Sequence, residues 1–150
     1  MIKKRVLAIA VILLFLVHAF IPAQTAVELE SVLGSPVVSC ARAAQFVAAS
    51  SGSGSAAQQA AFEQAMKLGW FPRGTTGDEP ITLDKLSFLI MKAFDMKGGM
   101  MYSLFPGPRS AFRAMVSRSF IQAASDPAMK PNGETFLIIL GAVLNARGEE

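Results

Sequence analysis

Few side chains in this sequence could do covalent or metal chemistry. Among its 150 residues there is one cysteine, Cys40, and one histidine, His18. His18 lies in an N-terminal segment that we expect to be removed, so the mature chain lacks the usual general base and the commonest metal ligand. No nucleophile–base pair, metal-ligand cluster or phosphate-binding glycine loop is visible. The sequence therefore predicts a protein that is not an enzyme and that carries no metal or cofactor.

The cysteine has two interpretations. The segment Val37–Cys40 fits the loose pattern of a lipoprotein cleavage site, and a lipid on Cys40 would tether the protein to a membrane. Such a site should directly follow an apolar signal segment, whereas here the ten residues VELESVLGSP lie between the two. The other interpretation, which we favour, is a small buried thiol near a helix start.

Charged side chains cluster without forming a recognised site. Asp78, Glu79 and Asp84 fall within seven residues but lack the ligand spacing of a calcium loop. This pattern predicts a turn, followed by a favourable acidic charge at a helix start. Four arginines could together bind an anion, although we favour a solvated surface: Arg73, Arg109, Arg113 and Arg118.

The N-terminus has the three-part pattern of a secretory signal peptide. Residues 3–5 are basic, Val6–Phe20 is almost wholly apolar, and small residues follow. We expect residues 1–26 to be the signal, with the mature chain starting within Gln24–Glu28; an uncleaved anchor is the alternative. The expected location is the periplasm or cell envelope, with membrane contact only through the signal or a lipid on Cys40.

Removing the signal changes what the composition implies. Three of the 14 basic residues lie in it and all 11 acidic residues lie beyond it, so the mature charge is 11 − 11 = 0. The basic isoelectric point of the full sequence results from the basic residues of the signal, so it does not indicate nucleic-acid binding. About 124 residues (150 − 26) remain as one domain, 27–150, with no second cysteine for a disulfide. Packing must therefore stabilise the mature chain.

The remaining sequence predicts an all-α fold. Three segments begin with a capping residue, Ser39, Thr82 or Asn132, and continue with apolar residues at helical spacing. Two further predicted helices, residues 57–68 and 108–118, precede the second and third of these segments. Residues 61–94 then align with residues 111–144 at a constant offset of 50, with apolar class kept at most positions. This repetition predicts stacked helical units, about two and a half in all.

The residues of this repeat resemble a known family. KLGWFPRGTTGDEPITLDKLSFLIMKAF, Lys67–Phe94, is similar to the S-layer homology (SLH) module, with a weaker copy at Arg118–Leu144 and a half copy at Val38–Ala49. Together with GGMMYSLFPGPRSAFR, it also resembles SLH-like envelope proteins of spirochaetes. The resemblance implies a bundle of helix–loop–helix repeats that attaches without covalent bonds to cell-wall polymer or to another envelope component.

The family binds its ligand through a Thr-Arg-Ala-Glu-like tetrad at the start of the second helix. The equivalents here keep the capping position but lack the Arg and Glu in place: Ser39-Cys40-Ala41-Arg42, Thr82-Leu83-Asp84-Lys85 and Asn132-Gly133-Glu134-Thr135. This departure puts polymer binding in doubt while leaving the fold expected. The architecture could instead serve as a protein-interaction or structural module.

Nine residues are candidates for binding, at two helix starts, at an aromatic pair and in the linker between the units: Trp70, Thr82, Asp84, Lys85, Tyr102, Phe105, Arg109, Asn132 and Glu134. Trp70 could stack on a sugar, or it could plug the end of its helical pair, which we favour. The linker Met96–Pro108 is rich in methionine and aromatic residues. It either forms an exposed surface for a partner or a membrane interface, or folds back over the two repeats as part of the core.

These observations predict an exported binding or structural module of the cell envelope. It would act through protein–protein contacts or cell-wall association, so its partner would be an envelope protein or cell-wall polymer. The alternative is a lipid-tethered or signal-anchored periplasmic accessory protein that does not bind polymer. An enzyme is a third candidate, which no motif supports.

Overall fold

The computed structural model describes residues 26–53 and 57–148. This part of the chain forms seven helices and no β-strand: α1 (26–33), α2 (Cys40–Ser50), α3 (Gln58–Lys67), α4 (Leu83–Ala93), α5 (Met100–Leu104), α6 (Pro108–Ser117) and α7 (Gly133–Gly148). The predicted all-α fold class is confirmed. The predicted signal peptide, apart from Ala26, lies outside the described residues. None of the described helices combines the length and the apolar character needed to cross a membrane.

The described part of the chain divides after Gly34 into two units, residues 26–34 and the residues from Ser35 onward. In the first unit, helix α1 ends with a backbone bond from the Gly34 N–H to the Glu30 carbonyl. Val32 is fully buried, whereas Val27, Leu29 and Leu33 are 67%, 44% and 50% exposed. Helix α1 thus carries apolar side chains that remain in contact with solvent.

In the second unit, two of the three predicted capping residues cap their helices with a side-chain bond. The Ser39 hydroxyl accepts a bond from the Arg42 N–H (3.3 Å) at the start of α2. The Asn132 side chain accepts one from the Thr135 N–H (2.8 Å) at the start of α7. Thr82 has the extended backbone of an N-cap, but its side chain makes no capping bond. Its hydroxyl donates instead to the Asp84 carboxylate.

Helix α4 lies at the centre of the packing. It packs most extensively against α6, while α2 packs against α3. Seven of the eleven α4 residues are buried, which leaves few positions for polar contacts with solvent. Phe136 of α7 is also fully buried and meets Phe46 of α2 edge to face, with ring centroids 6.1 Å apart. Close-packed aromatic and aliphatic side chains of this kind supply the main stabilisation of a domain without disulfides.

The two helical pairs share their helix starts and the turn after the first helix at one offset of 50 residues, although α7 is five residues longer than α4 (16 against 11). Helix α3 spans 58–67 and α6 spans 108–117, and α4 and α7 begin at 83 and 133. After the first helix of each pair, the Trp70 N–H donates to the Ala65 carbonyl (2.9 Å) and the Phe120 N–H to the Met115 carbonyl (3.0 Å). The preceding residue is left-handed in both, with φ of 70° at Gly69 and 63° at Ser119.

Two polar loops, the first between α3 and α4 and the second between α6 and α7, lie against the starts of earlier helices. The carbonyl of Glu79, in the first loop, accepts a bond from the Cys40 N–H at the start of α2 (3.0 Å). The carbonyl of Met129, in the second loop, accepts one from the Leu83 N–H at the start of α4 (2.9 Å). At the start of α7, the Gly133 N–H donates to the Ser35 carbonyl (2.9 Å). These long-range bonds tie loops to helix starts within the second unit and satisfy donors that a helix start leaves open.

Candidate functional site

The charged residues at the start of α4 are engaged within the protein. The Asp84 carboxylate accepts bonds from the Thr82 hydroxyl and from the Lys85 N–H. The Lys85 ammonium pairs with the Glu79 carboxylate of the covering loop. The backbone N–H of Asp84 donates to the Pro127 carbonyl (3.0 Å). A polymer at this helix start would have to displace contacts that the fold already makes.

The start of α7 places Asn132 and Glu134 at the surface. Both are exposed, and the Asn132 side chain is occupied in capping the helix. Glu134 lies in the first turn, where a negative charge interacts favourably with the helix dipole. Neither residue lines a cavity described below, so their surface positions are explained by the helix itself.

Trp70 is buried rather than presented to a ligand. It is 7% exposed and its neighbour Phe71 is 4% exposed. Phe71 packs on Phe62 of α3, with ring centroids 5.4 Å apart. The tryptophan ring therefore lacks the open face that stacking on a sugar requires. Its burial supports the interpretation of this pair as a plug at the end of the helices.

Cys40 is a buried thiol at the first residue of α2, as we favoured from the sequence. Its side chain is fully buried, and its Sγ atom lies 4.0 Å from the Glu79 carboxylate. Burial, and then the charge of Glu79, raise the pKa of Cys40 from 9.0 to about 12, against a smaller lowering by Lys85. A thiol in this state is a poor nucleophile, because the thiolate is the reactive form.

The linker between the two helical pairs contains an exposed apolar helix. Met100, Met101, Leu104 and Phe105 are 78%, 55%, 63% and 70% exposed. For these four residues, the interpretation as an exposed surface is confirmed and the alternative of a covered core is wrong. Tyr102 behaves differently because it is half-buried and lies so close to Gly98 that a side chain there would clash. Burial, and then the charge of Asp95, raise the pKa of Tyr102.

A groove of about 460 Å³ runs between α5 and α6, and we call it the α5–α6 groove. It brings together three of the nine candidate residues, Asp84, Phe105 and Arg109. The remaining lining residues are Met101, Gly107, Pro108, Ser110 and Arg113. Met101 and Arg113 were not among the nine, although the sequence analysis named Arg113 in a possible anion site and Met101 lies in the linker Met96–Pro108. The four-residue spacing of Arg109 and Arg113 puts both on one helix face.

Local sequence explains why the groove has this shape. Pro108 starts α6, a position where its missing N–H costs no hydrogen bond. The Ser110 hydroxyl accepts a bond from the Gly107 N–H (3.1 Å) and donates to the Phe105 carbonyl (2.7 Å). Ser110 thus fixes the end of the linker against α6, while the Phe105 side chain points to solvent. The apolar wall is part of the ordered fold and not a loose loop.

The charge of the groove is positive on balance. Arg109 and Arg113 are exposed, and in the described residues neither has a carboxylate within ion-pair distance. The only acidic lining residue is Asp84, whose carboxylate already accepts the Thr82 and Lys85 bonds. The arrangement is suited to a ligand that combines apolar side chains with negative charge.

A second cavity, of about 380 Å³, has a different character. Three basic residues, Lys97, Arg118 and Arg147, and one acidic residue line it beside an apolar floor. Arg118 donates to the Lys97 carbonyl and Arg147 to the Phe94 carbonyl, where α4, α6 and α7 end. Each helix end carries about half a negative charge, so three ends nearly offset a net charge of about +2. Two of the three basic residues, Arg118 and Arg147, are thus already bonded to backbone carbonyls of the protein.

In residues 26–53 and 57–148, no group of three His, Cys, Asp or Glu side chains is placed to hold a metal ion. No family model, curated protein or solved structure matches this chain. The α5–α6 groove, defined by its own geometry, is the candidate site.

Proposed function

We propose that the protein is a non-catalytic module of the cell envelope that binds a protein partner through the α5–α6 groove. One observation carries this proposal: three large apolar side chains of the short helix α5, and that of Phe105 directly after it, are more than half exposed, next to two exposed arginines. Single exposed apolar residues are normal on a protein surface, but a contiguous patch with a polar rim is typical of an interaction site. Methionine and arginine are also enriched at such interfaces.

The geometry favours a protein partner over cell-wall polymer. A hydrophilic polymer needs free hydrogen-bonding groups and an open aromatic face. Trp70 is buried, and the polar groups at the start of α4 are bonded to one another and to the loops. The α5–α6 groove instead offers flexible apolar side chains, which adapt to the side chains of another protein. The sequence also predicted association with the cell wall, but no site in the described residues supports that part of the prediction.

The SLH-like architecture and export belong to the same proposal. The helix starts of the two pairs are related by an offset of 50 residues, and the loops bond to earlier helix starts. Both features are expected of stacked helix–loop–helix units. The signal pattern of residues 1–26 supports export. A non-catalytic role is supported by Cys40, the one strong nucleophile of the chain, because its thiol is buried and its pKa is raised to about 12.

Two binding assays on the exported protein separate the two kinds of partner. The first is sedimentation with purified cell-wall sacculi at moderate salt, where we expect the protein to stay in solution. The second is co-purification with envelope proteins, comparing wild type with Met101→Ser/Phe105→Ser and with Ile138→Ser as a matched control. Ile138 is 63% exposed on α7 and does not line the groove. We expect the groove variant to lose a partner that the control keeps; sedimentation with sacculi and an unchanged protein profile would contradict the proposal.

A further inference from the structure

We propose that the α5–α6 groove binds helix α1 of a second copy of this chain. This inference rests on the proposed function, since it names the partner of the same groove. It is argued from two surfaces of the chain that are both exposed and that match in chemistry. The α5–α6 groove is apolar with positive charge, and the exposed face of α1 is apolar with negative charge.

Helix α1 has an exposed face that combines apolar and acidic side chains. Val27, Glu30 and Leu33 follow one another at a spacing of three residues, so they lie on one side of the helix. Val27 and Leu33 are 67% and 50% exposed, and Glu30 is exposed between them. The described part of α1 contains Glu28 and Glu30 and no basic residue. On this face, exposed aliphatic side chains flank a carboxylate.

The groove supplies the complementary groups. Met101 and Phe105 offer apolar surface for the α1 side chains, and Arg109 and Arg113 offer two guanidiniums one helical turn apart. A guanidinium binds a carboxylate through two parallel hydrogen bonds, which fixes the orientation of the partner as well as attracting it. Pairing Arg109 with Glu30 of the second copy would therefore place the apolar side chains of both surfaces in contact.

The predicted processing keeps Glu30 and Leu33 for every start within Gln24–Glu28. Removal of residues 1–26 also keeps Val27 as the first residue, whereas a start at Glu28 removes it. Helix α1 would then lie close to the mature N-terminus, where a partner molecule can reach it.

The two surfaces are different parts of the chain, so the contact is head to tail. An interface of this type leaves one free groove and one free helix on every dimer, and it continues into rings or open chains. A helix of eight residues covers less area than the roughly 1,200 Å² of a stable interface. The association should therefore be weak in solution and should rise with protein concentration.

Light scattering over a concentration series tests the inference with charge reversals. The exported, processed protein is purified as wild type, as Arg109→Glu, as Glu30→Arg and as the combination of both. Arg73→Glu is the control, because Arg73 is exposed and does not line the groove. All substituted residues are exposed, and circular dichroism checks that each variant is folded.

We expect the mass of wild type and of Arg73→Glu to increase with concentration. Arg109→Glu alone, or Glu30→Arg alone, should weaken the association by about tenfold or more, because each places like charges together. An equimolar mixture of the two single variants should associate again, and so should the combined variant, because each Glu then faces an Arg. Higher salt should weaken the association of the wild type.

Three results would overturn the inference. The first is a chain that stays monomeric at every concentration. The second is an effect of Arg109→Glu without an effect of Glu30→Arg, which would mean that another surface enters the groove. The third is a failure of the combined variant to associate. In each case the proposed function stands if Met101→Ser/Phe105→Ser still abolishes co-purification of a different envelope protein, and it falls as well if that variant changes nothing.

Discussion

The state of the Cys40 thiol gives a prediction whose magnitude follows from the structure. In the unfolded chain the thiol has an ordinary pKa of 9.0, whereas in the folded chain burial and Glu79 raise this pKa to about 12. Below pH 9 the thiol is neutral in both states and stability does not depend on its titration. Between pH 9 and 12 the unfolded state loses the proton and the folded state keeps it, so the free energy of unfolding falls as the pH rises.

Each pH unit in this window costs about 1.4 kcal/mol, which sums to about 4 kcal/mol across the three units. At pH 10.5 the loss should be about 2 kcal/mol. Other groups titrate in the same range, and the variant Cys40→Ala removes only the contribution of the thiol. Urea unfolding of wild type and Cys40→Ala at pH 8 and pH 10.5 isolates it. The stability difference between the two proteins should shift by about 2 kcal/mol in favour of the variant at pH 10.5.

If the stability difference between wild type and Cys40→Ala were the same at both pH values, the thiol would not be held in the buried environment described here.

The buried position of Cys40 also bears on lipid attachment. Acylation as a lipoprotein requires Cys40 to become the N-terminal residue, which would break the chain next to the Ser39 cap and remove Ser35, whose carbonyl holds the start of α7. Intact-mass measurement of the exported protein should therefore show no lipid on Cys40.

Five further substitutions, in three tests, probe the fold that positions the groove. Gly69 and Ser119 both have the left-handed backbone that favours glycine. Gly69→Ala should therefore lower stability by about 1 kcal/mol, and Ser119→Gly should raise it by up to about 1 kcal/mol. Thermal unfolding should show a lower melting temperature for the first variant and a higher one for the second. Asn132→Ala should cost about 1 kcal/mol through loss of the α7 cap, as read from urea midpoints, and a neutral result would contradict the capping bond. Phe136→Ala should cost about 3–5 kcal/mol, whereas Ile138→Ala on the exposed side of the same helix should stay within about 0.5 kcal/mol; equal costs would show that the buried face of α7 is assigned wrongly.

Local patterns in the sequence predicted much of the fold. The capped starts at Ser39 and Asn132 and the first-turn Pro108 depend on neighbouring residues alone, and their positions agree with the structure. The side chain of Thr82 was wrongly expected to cap its helix, because Asp84, two residues on, competes for the hydroxyl. The bonds from the loops to earlier helix starts join residues far apart in the chain, and single-sequence patterns do not report them.

The candidate site was predicted only in part, for a similar reason. Phe105 and Arg109 were candidates because of their residue types. Whether the linker was exposed or covered depended on how α5 lies against α6, which the Ser110 hydroxyl determines through its bond to the Phe105 carbonyl. Trp70 was a candidate by type as well, but its burial depends on packing that the sequence pattern could not rank.

The most direct test of the central claim is photo-crosslinking in intact cells from the α5–α6 groove. A photoreactive amino acid replaces Phe105 in one strain and Ile138 in another, and both positions are more than 60% exposed. The account predicts a discrete protein adduct from position 105 and none from position 138, with a mass of two copies if α1 of a second copy is the partner. Equal labelling from both positions, or no protein adduct from position 105, would contradict the claim that this groove is a protein-binding site.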